Sequence, residues 1–480
     1  METITTAERQ AVDEQPAGGS APTEPGRAAT AHLLVSAAFL AGGSLLWLGS
    51  LAAVAFPRLL LIPHGQLRAM AAIALWLGWL VPGLAGGVYY LLPRLTGAPL
   101  PRQRLALIAL PALVGLVLVG MVVVGLGWGD GREPLGLPLW LDLPVLALLL
   151  VPAIVTLSAL SGRREESLFP SLWFAFGATV WLPGLYLAAS FPGLNPLAAT
   201  LADLTFGSGF LHVWGLGLAT GLAYYAVVKA SDQPLANRQL ARVGFWSLLF
   251  GAVWSGPAQL VAGPQPEWLQ AVAAVLGLAL PVAALANATN FAQTIGPRWG
   301  ALREEPVLAA AMWGGLLGVV ATVATALAGF RSAAVLVSLT AFSEGVVYLL
   351  MLGAIPLLFA SFAWHALPNL VGRAVDRKKA AVVSRRLVLY PSLTALLLML
   401  AGIAAGYSFA GGAFTGSYVA AGEGWDQAMG LADLLFGLAL ITGIGAFFGQ
   451  AGLALSLYRA LTSGRATLQE VLVTRVVEDE

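Results

Sequence analysis

Four histidines and one carboxylate inside an apolar run are the residues of this 480-residue chain whose chemistry could exceed packing. A neutral imidazole nitrogen suits transition metals, and its second nitrogen is oriented by a neighbouring group. Copper or non-haem iron requires three or more ligands. His32, His64, His212 and His365 lie too far apart in sequence to share a helix face at ligand spacing. The chain has no cysteine, which removes thiolate metal sites, disulfides and thioether-linked haem. His212 is the one candidate metal ligand, against the plainer reading of a buried imidazole hydrogen-bonded to a neighbouring helix. His32 is expected at the membrane interface, His64 in a loop after Pro63, and His365 snorkelling toward an interface.

Glu344 is the intramembrane polar candidate. A tenth apolar run over 333–366 would place it about 15 Å along its helix at 1.5 Å per residue. A carboxyl at that depth is costly and faces the protein interior, paired or protonated. The two readings are a proton- or ligand-binding carboxyl and a protonated side chain hydrogen-bonded within the bundle. Gln259, Asn287 and Asn290 suit interhelical polar contacts, and the Gly217/Gly221 and Gly445/Gly449 pairs suit close helix approach.

The elements that must position these groups follow from composition. Hydrophobic residues make up 58% of the chain and charged residues 10%, against about 25% charged in soluble domains. Apolar runs of about 20 residues recur, the length that spans a bilayer. About twelve are counted: 31–56, 68–93, 105–127, 140–160, 168–190, 206–228, 241–263, 268–293, 307–329, 333–366, 387–410 and 430–459. The expected fold is all-α, a polytopic bundle over 31–460, between a disordered cytoplasmic tail, 1–30, and a C-terminal tail, 461–480. Residues 1–30 hold five acidic and two basic side chains and no apolar core of a signal peptide.

Basic residues set the orientation. With the N-terminus inside, the inner connections carry Arg94, Arg102, Arg104, Arg163, Arg164, Lys229, Arg238, Arg242, Arg298 and Arg303, then a cluster from Arg373 to Arg386. The outer ones carry only Arg58, Arg68, Arg132 and Arg331. Retention of positive charge on the cytoplasmic side puts both termini inside. No glycine-rich phosphate loop follows a strand, so nucleotide chemistry has no support, and no nucleic-acid partner is expected.

Four segments carry a family resemblance. Gly65-Gln66-Leu67-Arg68-Ala69-Met70-Ala71 opens the second run, which ends Tyr89-Tyr90-Leu91-Leu92-Pro93-Arg94. Tyr224-Tyr225 closes the sixth, Trp254-Ser255-Gly256-Pro257-Ala258-Gln259 and then Pro266-Glu267-Trp268 mark the seventh, and Leu367-Pro368-Asn369-Leu370 ends the tenth. In this order and spacing the chain resembles subunit I of the haem-copper oxidase superfamily, most of all C-type (cbb-type) cytochrome c oxidases and nitric oxide reductases.

That resemblance implies two haems, a copper, electrons from cytochrome c, reduction of oxygen or nitric oxide, and proton translocation. The residues at the implied ligand positions differ. The low-spin haem ligand of the second span falls on Ala71, and the copper ligands fall on Ser208, Ala258 and Gln259. The tenth-span His-x-His falls on Val346 and Tyr348, and the seventh-span tyrosine on Ala252. His212-Val213-Trp214 resembles the His-x-Trp of the reductases one turn after Ser208.

The expectation is a non-enzymatic relative without haem or copper, with a structural, assembly or ligand-binding role in a bacterial-type inner membrane. Its partners would be the lipid bilayer and other respiratory-complex subunits. Two alternatives stand beside it. One is an active oxidase or reductase that retains haem b and copper on unorthodox ligands drawn from Met70, Met351, Tyr348 and Glu344. The other is a secondary transporter with a midplane polar site.

Overall fold

In hydrocarbon a chain can satisfy its own backbone polar groups only as helices or a closed barrel, and these leucine-, alanine- and glycine-rich runs form helices. The computed structural model describes residues 25–478 apart from 57–60, 133, 262, 374 and 416–420. The described residues contain no strand. The first six helices are α1 Gly26–Ala55, α2 His64–Thr96, α3 Gln103–Gly125, α4 Leu139–Ser161, α5 Pro170–Ala189 and α6 Pro196–Ser231. Then come α7 Arg238–Ala258, α8 Glu267–Arg303, α9 Pro306–Ala328, α10 Ala341–Val371, α11 Arg377–Ser408 and α12 Gly430–Thr462.

Eleven of these are long and apolar enough to cross a membrane. The exception is α7, whose 21 residues reach about 31 Å but start with Arg238, Gln239 and Arg242. Consecutive helices pack side by side, and α12 returns to lie against α1. Three helices, α2, α6 and α10, are enclosed, each with 94% of its most apolar stretch buried. The others surround them and turn side chains such as Ile108, Trp246 and Ile441 outward, where lipid replaces water and exposure of apolar surface carries no penalty.

Several boundaries differ from the sequence reading, each for a local reason. The tenth run does not form one helix. A short helix, Arg331–Val337, ends at Ser338, Leu339 takes a left-handed φ of 60°, and Thr340 caps α10 by accepting a hydrogen bond from the Phe342 N–H. Glu344 therefore sits in the first turn of α10 and not deep within it. Pro196 starts α6 early, capped by Asn195, whose side chain accepts from Ala198 N–H. Asp376 caps α11 through Lys378 and Lys379 N–H.

Of the expected tail 1–30, residues 1–24 lie outside the described residues, while 26–30 form the first turn of α1. There Ala28 and Ala29 are fully buried, and Gly86 of α2 has no room for a side chain against Ala29 and His32. His32 is consequently buried between α1 and α2, with Nδ1 2.8 Å from the Ala28 carbonyl and its ring edge-on to Tyr89. At the other end, the helix holding α12 runs from Ala421 to Glu478, through the segment expected as a tail.

Candidate functional site

The three enclosed helices share a feature: each contains a π-helical segment, Ile73–Leu80 in α2, Phe210–Gly217 in α6 and Leu350–Ala354 in α10. π-turns are rare and recur at functional sites. They leave backbone carbonyls out of the ordinary i to i−4 ladder, and in lipid each must find another donor. Trp214 Nε1 donates to the Leu80 carbonyl at 3.2 Å, tying α6 to α2. Gln450 Nε2 donates to the Leu352 carbonyl at 2.6 Å, tying α12 to α10.

Aromatic rings fill the space between these helices. Trp76 of α2 stacks on Phe210 of α6 at 4.7 Å and 9°. Trp79 meets Phe359 of α10 edge-on at 6.4 Å, and Trp47 of α1 meets Tyr348 at 5.3 Å. Such pairs contribute about 0.5–1.5 kcal/mol each beyond their buried area.

The residues placed at the implied copper site do come together in part. The Ser208 hydroxyl of α6 is in hydrogen-bond contact with the Ser255 hydroxyl of α7. His212 Nδ1 lies 2.9 Å from the Ser208 carbonyl and 3.2 Å from its hydroxyl. A carbonyl only accepts, so this contact assigns the proton to Nδ1 and the lone pair to Nε2. The expected hydrogen bond from His212 to a neighbouring helix is absent: its partner is on its own helix, and Nε2 has none among the described residues. Gln259 Nε2 lies 3.5 Å from the Ser255 carbonyl of its own helix, not across to another. Ala258 packs at the end of α9 beside Gly329. Ser255 was not singled out from sequence; the signal was its place within the segment 254–259, one turn before Ala258.

Ala71, on α2, and Val346 and Tyr348, on α10, are buried. Beside them Arg68 Nε meets Glu344 Oε1 at 2.8 Å, with the two side chains 35% and 27% exposed. Glu344 is thus ion-paired at the helix end, and neither sequence reading of it, a cavity carboxyl or a protonated group within the bundle, describes its position. Met70 turns its sulfur toward Gly125 of α3, and Met351 is fully buried in the π-segment of α10.

These residues do not fit the metal groups. Ala71, Ala258, Val346 and Ala252 carry no donor atom. A copper ion would find one imidazole where it requires three or more ligands. Among the described residues no three His, Asp or Glu side chains cluster as a metal site requires.

Two polar networks lie apart from the implied metal positions, and the first of them escaped sequence reasoning. At one end of the bundle, Arg132 pairs with Asp203 at 2.7 Å and donates to the Ala189 carbonyl, while Tyr186 donates to Asp142 at 2.6 Å. A cavity of about 30 Å³ lies among them. The hydrogen bond to Asp203 raises the Arg132 guanidinium above its ordinary value. At the other end, Tyr224 donates to Asn287 at 2.8 Å and accepts from Asn290 at 3.3 Å. Asn290 also exchanges hydrogen bonds with the Asn237 backbone, as the interhelical reading of both asparagines expected. A cavity of about 10 Å³ beside Asn287 and Thr220 has room for about one water.

The cytochrome c oxidase subunit of cbb3 type from Stutzerimonas stutzeri is 24% identical over 255 residues, covering 51% of this chain and 54% of that one. The cytochrome c oxidase subunit 1 homologue of Agrobacterium tumefaciens is 21% identical over 270 residues, 53% of this chain and 50% of its own. The chain thus spans about half the length of the curated relatives it matches. A haem-copper terminal oxidase dimer solved by cryo-EM contains a chain of similar fold, with a TM-score of 0.67 at 16% identity over 90% of this chain and 84% of that one. Residues 27–441 match the family described as Cytochrome C and Quinol oxidase polypeptide I. With its enclosed helices α2, α6 and α10 and its remaining spans built on that pattern, this multi-pass membrane protein belongs to the subunit I family of the haem-copper oxidases.

Proposed function

We propose that this chain is a non-redox member of the family, one that binds neither haem nor copper and acts as a structural, assembly or ligand-binding component of a respiratory membrane. The observation that carries the reading is the donor set: Ala71, Ser208, Ala258, Gln259, Val346 and Tyr348 stand at the implied ligand positions, and only His212 offers an imidazole near them. Direct ties between the enclosed helices, from Arg68 to Glu344, Trp76 to Phe210 and Trp214 to Leu80, support a role in which the scaffold holds itself together without a macrocycle. The loop charges support an orientation with both termini in the cytoplasm, in a bacterial-type inner membrane, with the bilayer and other respiratory subunits as partners.

An absorption spectrum of the purified protein with metal analysis tests this. The expected result is no Soret band and no copper at stoichiometric amounts; a stoichiometric haem band overturns the reading. Family membership favours a second reading, an active oxidase or reductase with unorthodox ligands. Two of the four side chains it would draw on are engaged elsewhere, Glu344 with Arg68 and Met70 against α3. The family gives the transporter reading no support.

A further inference from the structure

The three enclosed helices end together on the basic side of the bundle, and their C-terminal ends carry four nitrogen-bearing side chains, Arg94, Lys229, His365 and Asn369. Arg94 of α2 lies over the Tyr90 ring at 3.7 Å and donates to the Tyr90 carbonyl at 3.0 Å. Asn369 of α10 donates to the Tyr90 hydroxyl at 3.1 Å. His365 of α10 packs edge-on to Tyr225 of α6 at 5.7 Å, and Tyr225 in turn packs against Tyr90 at 6.2 Å. Among the described residues, Arg94 and Lys229 are the charged groups that act on the His365 ring. Arg94 and Lys229 are exposed and His365 half-buried.

Elsewhere the basic side offers counterions. Arg377 pairs with Glu305 at 2.7 Å, and Arg298 reaches Asp232 at 3.9 Å. Neither Arg94 nor Lys229 has such a partner among the described residues. A pair of cations without a carboxylate partner, set at helix C-termini whose carbonyls stabilise them in place and flanked by further hydrogen-bond donors and aromatic rings, is complementary to an oxyanion. A guanidinium fork and a flexible ammonium are the usual partners of phosphate. Basic recesses between helix ends at a membrane face take phospholipid headgroups.

We propose that Arg94, Lys229 and His365 form a binding site for a phosphate-bearing anion, whether a lipid headgroup or free phosphate. Arg94 supplies the fork, Lys229 the mobile charge, and the Asn369 amide and His365 ring further donors at the rim. The site is separate from the positions implied for metals, and its occupancy does not depend on whether haem is present.

The test uses the full chain in detergent, titrated calorimetrically with inorganic phosphate, and the same chain in lipid nanodiscs with and without cardiolipin, read by native mass spectrometry. Saturable binding of either ligand, weakened about tenfold or more in Arg94→Gln and Lys229→Gln and retained in Lys229→Arg, supports the proposal. Phosphate binding without retained lipid identifies a soluble anion as the ligand, and retained cardiolipin without phosphate binding identifies a headgroup. The proposal is overturned if the wild type binds neither ligand saturably. It is equally overturned if Lys229→Gln, with an unchanged Tm, binds as the wild type does.

Discussion

Arg68 at the start of α2 and Glu344 in the first turn of α10 form an ion pair at 2.8 Å, three residues before Ala71 and two before Val346. A carboxylate in the first turn also faces the positive end of its helix. Both side chains keep about a third of their surface exposed, so solvent screens the pair. A double-mutant cycle with Arg68→Gln and Glu344→Gln is expected to give a coupling of about 0.5–1 kcal/mol. A coupling indistinguishable from zero would mean that the pair does not tie the two helices.

Gln450→Leu keeps the volume of the side chain and removes the donor to Leu352. A buried carbonyl without a partner costs about 1–3 kcal/mol, so a clear fall in Tm is expected. Trp214→Phe, which removes the hydrogen bond from the indole to the Leu80 carbonyl, is expected to lower Tm as well, by the net worth of one hydrogen bond, about 0.5–1.5 kcal/mol. Unchanged melting in both would show that the π-segments satisfy these carbonyls in another way.

At Gly256 of α7 an added methyl group would lie 2.6 Å from the Thr205 backbone of α6. Backbone cannot yield as a flexible side chain does, so Gly256→Ala is expected to push the two helices apart at a cost of about 1–3 kcal/mol. The contact between Ser208 and Ser255 would go with it. Denaturation of the variant beside wild type measures the effect.

The His212 Nε2 lone pair is the one imidazole electron pair near the implied copper position. A single nitrogen does not hold copper against competing buffers. Copper(I) titration of the purified protein is therefore expected to show no saturable site that disappears in His212→Ala. A one-to-one site lost in that variant would reverse the assignment.

Asp376 caps α11, and hydrogen bonds from the Lys379 and Lys378 backbone hold its carboxyl below the ordinary carboxylate value. A depressed folded-state value means that the stabilisation is complete above the unfolded-state pKa and is lost as pH falls through the folded one. The Tm difference between wild type and Asp376→Ala should accordingly be present at neutral pH and shrink below about pH 4, the ordinary carboxylate range. A difference that persists unchanged under acid would assign it to something other than the charged cap.

Hydropathy alone located the membrane helices to within a few residues for α3, α4, α5 and α9, because a bilayer demands the same length of apolar chain everywhere. It misplaced Glu344, because one left-handed residue, Leu339, split an apolar run that contains neither glycine nor proline between Arg331 and Gly345. The π-segments were invisible, since an extra residue in a turn changes no composition. The Arg132 network was invisible for a different reason: Arg132, Asp142, Tyr186 and Asp203 come from four separate stretches of chain, and only packing brings them together. The pairing of Tyr224 with Asn287 and Asn290 was half legible, as amides in an apolar helix must find partners but do not name them.

The bond from Gln450 to Leu352 spans 98 residues and carries a consequence for biosynthesis. Ribosomes deliver this protein N-terminus first, so α10 enters the bilayer long before its last neighbour exists. Until α12 arrives, the Leu352 carbonyl lies in hydrocarbon without its donor, and α1 lacks the surface that closes the ring. The nascent protein therefore passes through an open, unfinished state whose completion awaits its final span. A translocon or chaperone that shelters that gap is where quality control of this protein would act.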